Sequence, residues 1–278
     1  MRARFWGSRG SLASPGPDTV RTGGNTSCIE IRPEDGSLVI LDSGTGIRGL
    51  GLSLDGSAPS RMDILLSHLH LDHLEGLGFF APMWNPRTEL HIWGPSSPTR
   101  SLSDRISQYL SPPLFPVRLA EVPARLELHD APDEPWMLGS ATITARPILH
   151  RGPTVGYRIE DGGRTLAYLT DHEPALSVDL STVDPEWVSG FEVAHGADVL
   201  IHDCQYTEEE YPDRAGFGHS STKHVADFAR LAGAKRLLLF HHDPNHTDDE
   251  LEALCARVGE LWDGVVDLAR EGEEIDFG

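Results

Sequence analysis

Cysteine is nearly absent from this chain, with only Cys28, Cys204 and Cys255 in 278 residues. Three well-separated thiols exclude a disulfide-stapled scaffold and favour a reducing compartment. Basic residues are scarce too: 23 Lys plus Arg stand against 43 Asp plus Glu, a formal charge of −20. A field of that sign repels nucleic-acid backbones and anionic membranes, so a long polyanion would need a local basic patch that the sequence does not display. No apolar run reaches membrane-spanning length, and the start, Met1 to Gly7, lacks the apolar segment of a secretory leader. A cytoplasmic enzyme is the expectation. No repeat, low-complexity block or linker divides residues 1–278, which are expected to form a single domain large enough to bury a substantial core.

Histidine, by contrast, is abundant, at 14 residues, and it clusters. The apolar run Met62-Asp63-Ile64-Leu65-Leu66 leads into Ser67-His68-Leu69-His70-Leu71-Asp72-His73. Four strong ligands within six residues offer the imidazole nitrogens and carboxylate oxygens that zinc, manganese or iron accept. A strand ending in a tight turn lets His68 and His70 face one way and Asp72 and His73 another, which points to a hydrolytic site with two metals.

Elsewhere the pattern alternates strands and helices. Ala3 to Trp6, Ser27 to Ile31 and Leu38 to Leu41 read as strands, the last two joined by a turn at Asp35-Gly36, and Leu90 to Trp93 reads as another. The spacing predicts helices over Ser101–Leu110, Pro185–Ala194, Thr222–Leu231 and Asp248–Leu261. Further strands are expected over 124–128, 141–149, 155–160, 165–170, 198–202 and 235–240. Two strand-rich halves, each with helices, imply two face-to-face sheets between helical layers, an α/β four-layer αββα sandwich. His91, alternating with apolar neighbours, reads as structural. Phe79, Phe80, Met83 and Trp84, and Leu114 to Val117 beyond them, read as core first and pocket wall second.

The stretch from His68 to His73 resembles the His-x-His-x-Asp-His signature of the metallo-β-lactamase fold superfamily, which that superfamily places after a buried strand. Asp42-Ser43-Gly44-Thr45-Gly46 is similar to its Asp-x-Gly-x-Gly segment, with Asp42 expected to orient ligands rather than bind metal. His150, Asp171 and then His241 or His242 follow at strand ends in the superfamily's order. The resemblance implies His68, His70 and His150 on one divalent ion, Asp72, His73 and His241 on the other, and Asp171 bridging. His241 is preferred to His242 because it directly follows an apolar strand, although a bulge would present His242 instead. His172 is left with an orienting or structural role.

A narrower resemblance covers Phe5 to about Asp249. Asp203, ending Val199 to Cys204, together with Gly218-His219-Ser220-Ser221 looks like the acid and His-Ser-Thr element of ribonuclease Z and of the phosphoribosyl cyclic phosphodiesterases. It implies catalytic roles for Asp203 and His219 beside Asp72, with His219 the general acid and Asp203 raising its pKa. Ser220 and Ser221 read equally as helix caps. The long basic arm with which ribonuclease Z grips transfer RNA has no counterpart between Asp171 and Asp203. The expected function is therefore hydrolysis of a small phosphodiester, such as a cyclic nucleotide or ribose cyclic phosphate, with two zinc or manganese ions. Neither long nucleic acid nor membrane is an expected partner, and the resembled branch suggests a homodimer. The alternatives are a metal-dependent hydrolase of another ester, lactam or thioester, and a transfer-RNA 3′-processing endonuclease. A redox or binding protein using iron is a third reading.

Overall fold

The computed structural model describes residues 1–54, 58–176 and 178–277. Strands β1 (Arg2–Gly7), β2 (Cys28–Arg32), β3 (Val39–Leu41), β4 (Arg61–Leu65), β5 (Glu89–Gly94) and β6 (Arg125–Asp130) build the first sheet. β7 (Trp136–Leu138), β8 (Ala141–Pro147), β9 (Val155–Asp161), β10 (Arg164–Leu169), β11 (Val199–Asp203), β12 (Arg236–Phe240) and β13 (Val265–Leu268) build the second. The last strand, β14 (Glu274–Asp276), returns to pair with β1, so the orders are β14-β1-β2-β3-β4-β5-β6 and β13-β12-β11-β10-β9-β8-β7. Both sheets are mixed, with β3 to β6 parallel in one and β10 to β13 parallel in the other.

Alternation decides what lies between the sheets. Phe5, Ile29, Ile31, Leu41 and Leu65 point inward from the first and meet Ile143, Tyr157, Ile159, Tyr168, Ile201 and Phe240 from the second. Each large apolar side chain so buried contributes roughly 1.5–3 kcal/mol. The opposite faces carry helices. Ile47 and Leu50 of α1 (Gly46–Ser53) and, after the short α2 (Leu71–Leu74), Leu102 and Ile106 of α3 (Leu102–Tyr109) cover the first sheet. The short α4 (Phe191–Ala194) and α5 (Tyr211–Arg214) precede α6 (Thr222–Ala232) and α7 (Asp248–Leu261). Val225 and Phe228 of α6 and Leu251, Leu254 and Val258 of α7 cover the second sheet. The result is the expected αββα layering.

The functional stretches all leave strands at one end of the sandwich. Asp42 follows β3, His68 to His73 follow β4, Asp171 follows β10, Asp203 closes β11 and His241 follows β12. Sites of α/β proteins lie there, outside the carboxyl ends of parallel strands.

Some expectations fail locally. Residues 185–194 are not one helix: a 3₁₀ turn at Pro185–Trp187 is separated from α4 by Gly190 at φ 77°, a left-handed residue that resets the chain direction. The strand expected to run to Leu149 stops at Pro147: Ile148 N still donates to the Thr154 carbonyl at 3.1 Å, but Leu149 N turns to Ser189 Oγ at 2.7 Å. Helix α1 and strands β7, β13 and β14 were not expected.

Candidate metal centre

Two of the ligands, Asp171 and His241, and the supporting Asp42 follow buried strands on a left-handed residue. Asp42 (φ 58°), Asp171 (φ 48°), His241 (φ 57°) and, on the facing N-terminal loop, Ser11 (φ 60°) are the non-glycine residues with positive φ among those described. Such backbone is stored strain that surrounding contacts must hold, and it clusters at functional sites.

His68 Nε2 lies 2.9 Å from His70 Nδ1, which is 3.2 Å from His150 Nε2. Asp171 Oδ2 is 3.6 Å from the Nε2 atoms of both His68 and His150. The other oxygen, Oδ1, is 3.1 Å from Nε2 of His73 and 3.1 Å from Nε2 of His241. Asp72 Oδ2 completes that second group, 3.2 Å from His73 Nε2 and 3.1 Å from His241 Nε2. Two donors each about 2.1 Å from one tetrahedral ion lie roughly 3.4 Å apart, so these separations suit two neighbouring cations. The two oxygens of Asp171 face different groups, the arrangement of a carboxylate that spans two ions. The residues present thus fit a pair of dications by donor type, number and spacing.

Neighbours fix which nitrogen His73 and His150 offer. His73 Nδ1 donates to Asp42 Oδ2 at 2.8 Å, an oxygen that also accepts from Tyr168 Oη at 2.7 Å. Ser67 donates to the same carboxylate through N at 2.7 Å and Oγ at 2.9 Å, so Asp42 ties both sheets to the cluster without joining it. His150 Nδ1 donates to the Gly218 carbonyl at 2.9 Å. Ser11 N donates to Asp72 Oδ2 at 2.7 Å. Such partners set ring orientation and tautomer. Close approach sets the glycines: a Cβ on Gly10 would sit 2.3 Å from His241 Nδ1, and one on Gly218 would sit 2.1 Å from His150 Nδ1.

Burial pushes His68 well down and lowers His70 and His150, favouring the neutral imidazole that donates to a metal. Burial would raise Asp171 and Asp72, but adjacent imidazoles outweigh it and hold both well below the usual carboxylate range.

His242 points away. Its Nε2 donates to the Ala269 carbonyl at 2.9 Å, and burial pushes the ring down to about 3. His172 is held by His202 Nε2 at 2.9 Å and Ser189 Oγ at 3.1 Å. His91 bonds Glu89 at 2.9 Å and His129 at 2.9 Å. The His91 and His129 rings are 4° from parallel with centroids 5.1 Å apart, so their nitrogens point at one another as in a hydrogen bond and leave no room for an ion between them.

Asp203 and His219 meet beside the cluster. His219 Nδ1 donates to Asp203 Oδ2 at 2.6 Å, while Oδ1 accepts from the amides of Gln205 and Ser220 at 3.1 Å each. The His219 ring stacks on His241 with centroids 5.0 Å apart and lies 5.3 Å from His150. Burial would depress this imidazole, but Asp203 overrides it and, with Asp171 and Asp72, pushes it up to about 9. Ser221 caps α6, accepting from His224 N, and Ser220 Oγ donates to the His172 carbonyl at 2.7 Å. Both serines are therefore engaged within the fold.

Two supports were not apparent in the sequence. Glu173, fully buried, accepts from Tyr211 Oη at 2.7 Å and from the amides of Gly216 at 2.8 Å and Gly218 at 2.7 Å, shaping the loop that faces His150. Arg9, also fully buried, donates to the carbonyls of Gly23, Asp243 and His246 at 2.9, 2.9 and 2.7 Å, locking the N-terminal loop to the segment after His241. Their only sequence signal is position, two residues beyond Asp171 and inside the Gly/Ser loop.

Two mixed sheets with a His/Asp cluster at their strand ends define a metal-dependent hydrolase of the metallo-β-lactamase fold. Residues 38–242 match the model of the beta-lactamase superfamily domain, and the chain belongs to that family. It is 26% identical over 323 aligned positions to a ribonuclease Z of Haloarcula marismortui, covering 99% of this chain and 96% of that protein. Among solved structures, the metallo-beta-lactamase fold protein YhfI of Bacillus subtilis superposes with a TM-score of 0.71 at 21% identity, covering 99% of this chain and 98% of that one. A diphosphatase of the PhnP family superposes with a TM-score of 0.70 at 19% identity, covering 100% and 98%.

Proposed function

We propose that the chain is a dinuclear metal-dependent phosphodiesterase acting on a small, cyclic phosphodiester such as a cyclic nucleotide or a ribose cyclic phosphate. His68, His70 and His150 would hold one ion, Asp72, His73 and His241 the other, and Asp171 would join them. When bound, zinc or manganese at these positions would supply Lewis acidity and lower the pKa of water to near neutrality. The observation that carries the phosphodiester reading is the 2.6 Å pair of His219 and Asp203 against the cluster. As a new P–O bond forms from water, whose displaced proton passes to solvent, and the bond to the leaving alcohol breaks, His219 gives that alcohol its Nε2 proton. Asp203 keeps Nδ1–H oriented and stabilises the imidazolium beforehand.

The size of the substrate follows from charge. Residues 172–202 contain no Lys or Arg, and the chain's formal charge is −20, so nothing in that segment grips a polyanion. Residues 1–278 act as one hydrolase domain on this reading. The cysteines are all free, in keeping with a reducing cytoplasm. No described helix is long and apolar enough to cross a membrane. A homodimer is part of the same reading and would appear as twice the chain mass in light scattering.

The name of the Haloarcula relative, ribonuclease Z, keeps an RNA substrate in view, and the rival reading is 3′ processing of transfer RNA. A panel of cyclic nucleotides, ribose cyclic phosphates and transfer-RNA 3′ trailers, assayed with zinc and manganese in turn, separates the two. Turnover of the cyclic diesters at least a hundredfold above that of the trailers is expected. Cleavage of the trailers alone overturns the small-substrate reading.

A further inference from the structure

Between one face of α7 and the turn that leads into α5 lies a second cavity, of about 370 Å³, lined by Glu208, Glu209, Glu210 and Glu250. We propose that it is a binding site for an aliphatic di- or polyamine. The inference stands apart from the phosphodiesterase reading, because none of the residues it uses belongs to the metal cluster or to the His219–Asp203 pair.

The cavity holds more acceptors than donors. Arg257, which also lines it, is already paired, with Glu208 at 2.7 Å and Glu260 at 3.0 Å. Glu209 is exposed and has no partner among the described residues. Glu250 engages α7 through Oε2 alone, which accepts from Thr247 N and Oγ1 at 2.8 Å each. Glu210 accepts from Thr207 N at 2.8 Å and from His246 Nε2 at 3.0 Å. With its proton on Nε2, the neutral His246 ring offers Nδ1 as an acceptor, and Nδ1 has no partner. Thr222 Oγ1 has none either. Both side chains line the cavity, and both are more than nine-tenths buried, His246 at 8% and Thr222 at 1% exposure. Buried polar atoms left unpaired in a native fold call for a partner, and here the missing partner is a donor.

Carboxylate oxygens and an imidazole lone pair together select a donor that carries positive charge. A metal ion is the poorer match: among the described residues, the His and acid groups that converge closely enough to hold one all lie elsewhere. Dispersed acceptors are instead met by a chain that bears several N–H groups. Ala253 and Leu254, which follow Glu250 at the i+3 and i+4 positions of the same helix face, give its methylenes an apolar surface. Arg257, an alkyl stem ending in a cation, already satisfies Glu208 in this manner, and Glu209, Glu210 and Glu250 remain for a ligand of the same kind.

Spermidine titrated calorimetrically into the metal-loaded protein tests the site, at 150 mM NaCl so that the field of the remaining surface is screened beyond about 8 Å. E209Q/E250Q removes two charges while the Gln side chain keeps the helix cap, and it should weaken binding about tenfold. D133N/E134Q removes the same two charges from exposed positions outside the cavity and should change binding less than twofold. A253R, which places a cation on an exposed helix position at the cavity and removes no carboxylate, should abolish measurable binding. Urea midpoints close to that of the wild type show that each variant is folded. Absence of binding to the wild type, equal weakening by the two charge-removing variants, or undiminished binding by A253R overturns the proposal. Displacement of spermidine by an equal concentration of magnesium also overturns it, since the site would then be a cation site without preference for an amine.

Discussion

Replacing Asp203 with Asn removes the charge that sustains the His219 imidazolium while keeping a side chain that can accept from the Gln205 and Ser220 amides. In the native pair the imidazole is pushed up to about 9, because Asp203 at 2.6 Å more than offsets burial. Without that carboxylate it should fall to the ordinary value of about 6.5 or below. At pH 8, a group titrating at about 9 is roughly nine-tenths protonated and one titrating at about 6.5 is about 3% protonated, so the general-acid form drops about 30-fold. At pH 6 the same comparison gives a factor of only about 1.3. The defect of D203N in kcat/KM should therefore grow with pH, and its alkaline limb should begin about two and a half pH units below that of the wild type. Cations in the adjoining cluster lower both limbs together, so the separation between them is the readout. The assay is a pH profile from 5.5 to 9.5 with metal content measured on each sample. Parallel profiles at equal metal content would refute the general-acid role, and H219A combined with D203N should be no worse than H219A alone.

In metal-stripped protein the same pair should stabilise the fold below about pH 6.5 and lose that contribution as the pH rises through about 9, since the folded value lies above the unfolded one. Urea midpoints across that range should fall in the wild type and stay flatter in H219Q. H241A should lose about one equivalent of metal by elemental analysis, whereas H242A should keep both and lose about 1–3 kcal/mol of stability in urea titration, because it abandons the buried Ala269 carbonyl. E173Q offers one acceptor oxygen where three donors converge, so it should cost about 2 kcal/mol in the same titration.

How much was legible in the sequence depended on whether the information was local. His68 to His73 stand within one short turn after an apolar strand, so their convergence could be read from spacing. His150, Asp171 and His241 lie far apart in sequence, and only the family's order of ligands connected them before the structure brought them together. His241 could be preferred to His242 from the apolar strand it directly follows, but the left-handed torsion it adopts there, φ 57°, is not encoded in apolar periodicity. Helix α1 was missed because Gly46, Gly49 and Gly51 depress its local propensity. Packing explains these glycines: a Cβ on Gly46 would sit 2.4 Å from the Trp6 carbonyl oxygen, and one on Gly51 would sit 2.9 Å from Ala81 N. Strands β13 and β14 are short and partly charged, and they become strands by pairing with β12 and β1. Glu173 and Arg9 look like surface charges in a sequence. Only the donors and acceptors gathered round them from distant segments reveal that they are buried.

The left-handed turns at Asp42, Asp171 and His241 have a consequence for descent. A chain of this architecture that had abandoned its chemistry would have nothing left to hold those torsions, and drift would let them relax into ordinary extended or helical backbone or be taken over by glycine. Backbone handedness at three strand ends would then reveal a retired member of the lineage even where its histidines survive by chance.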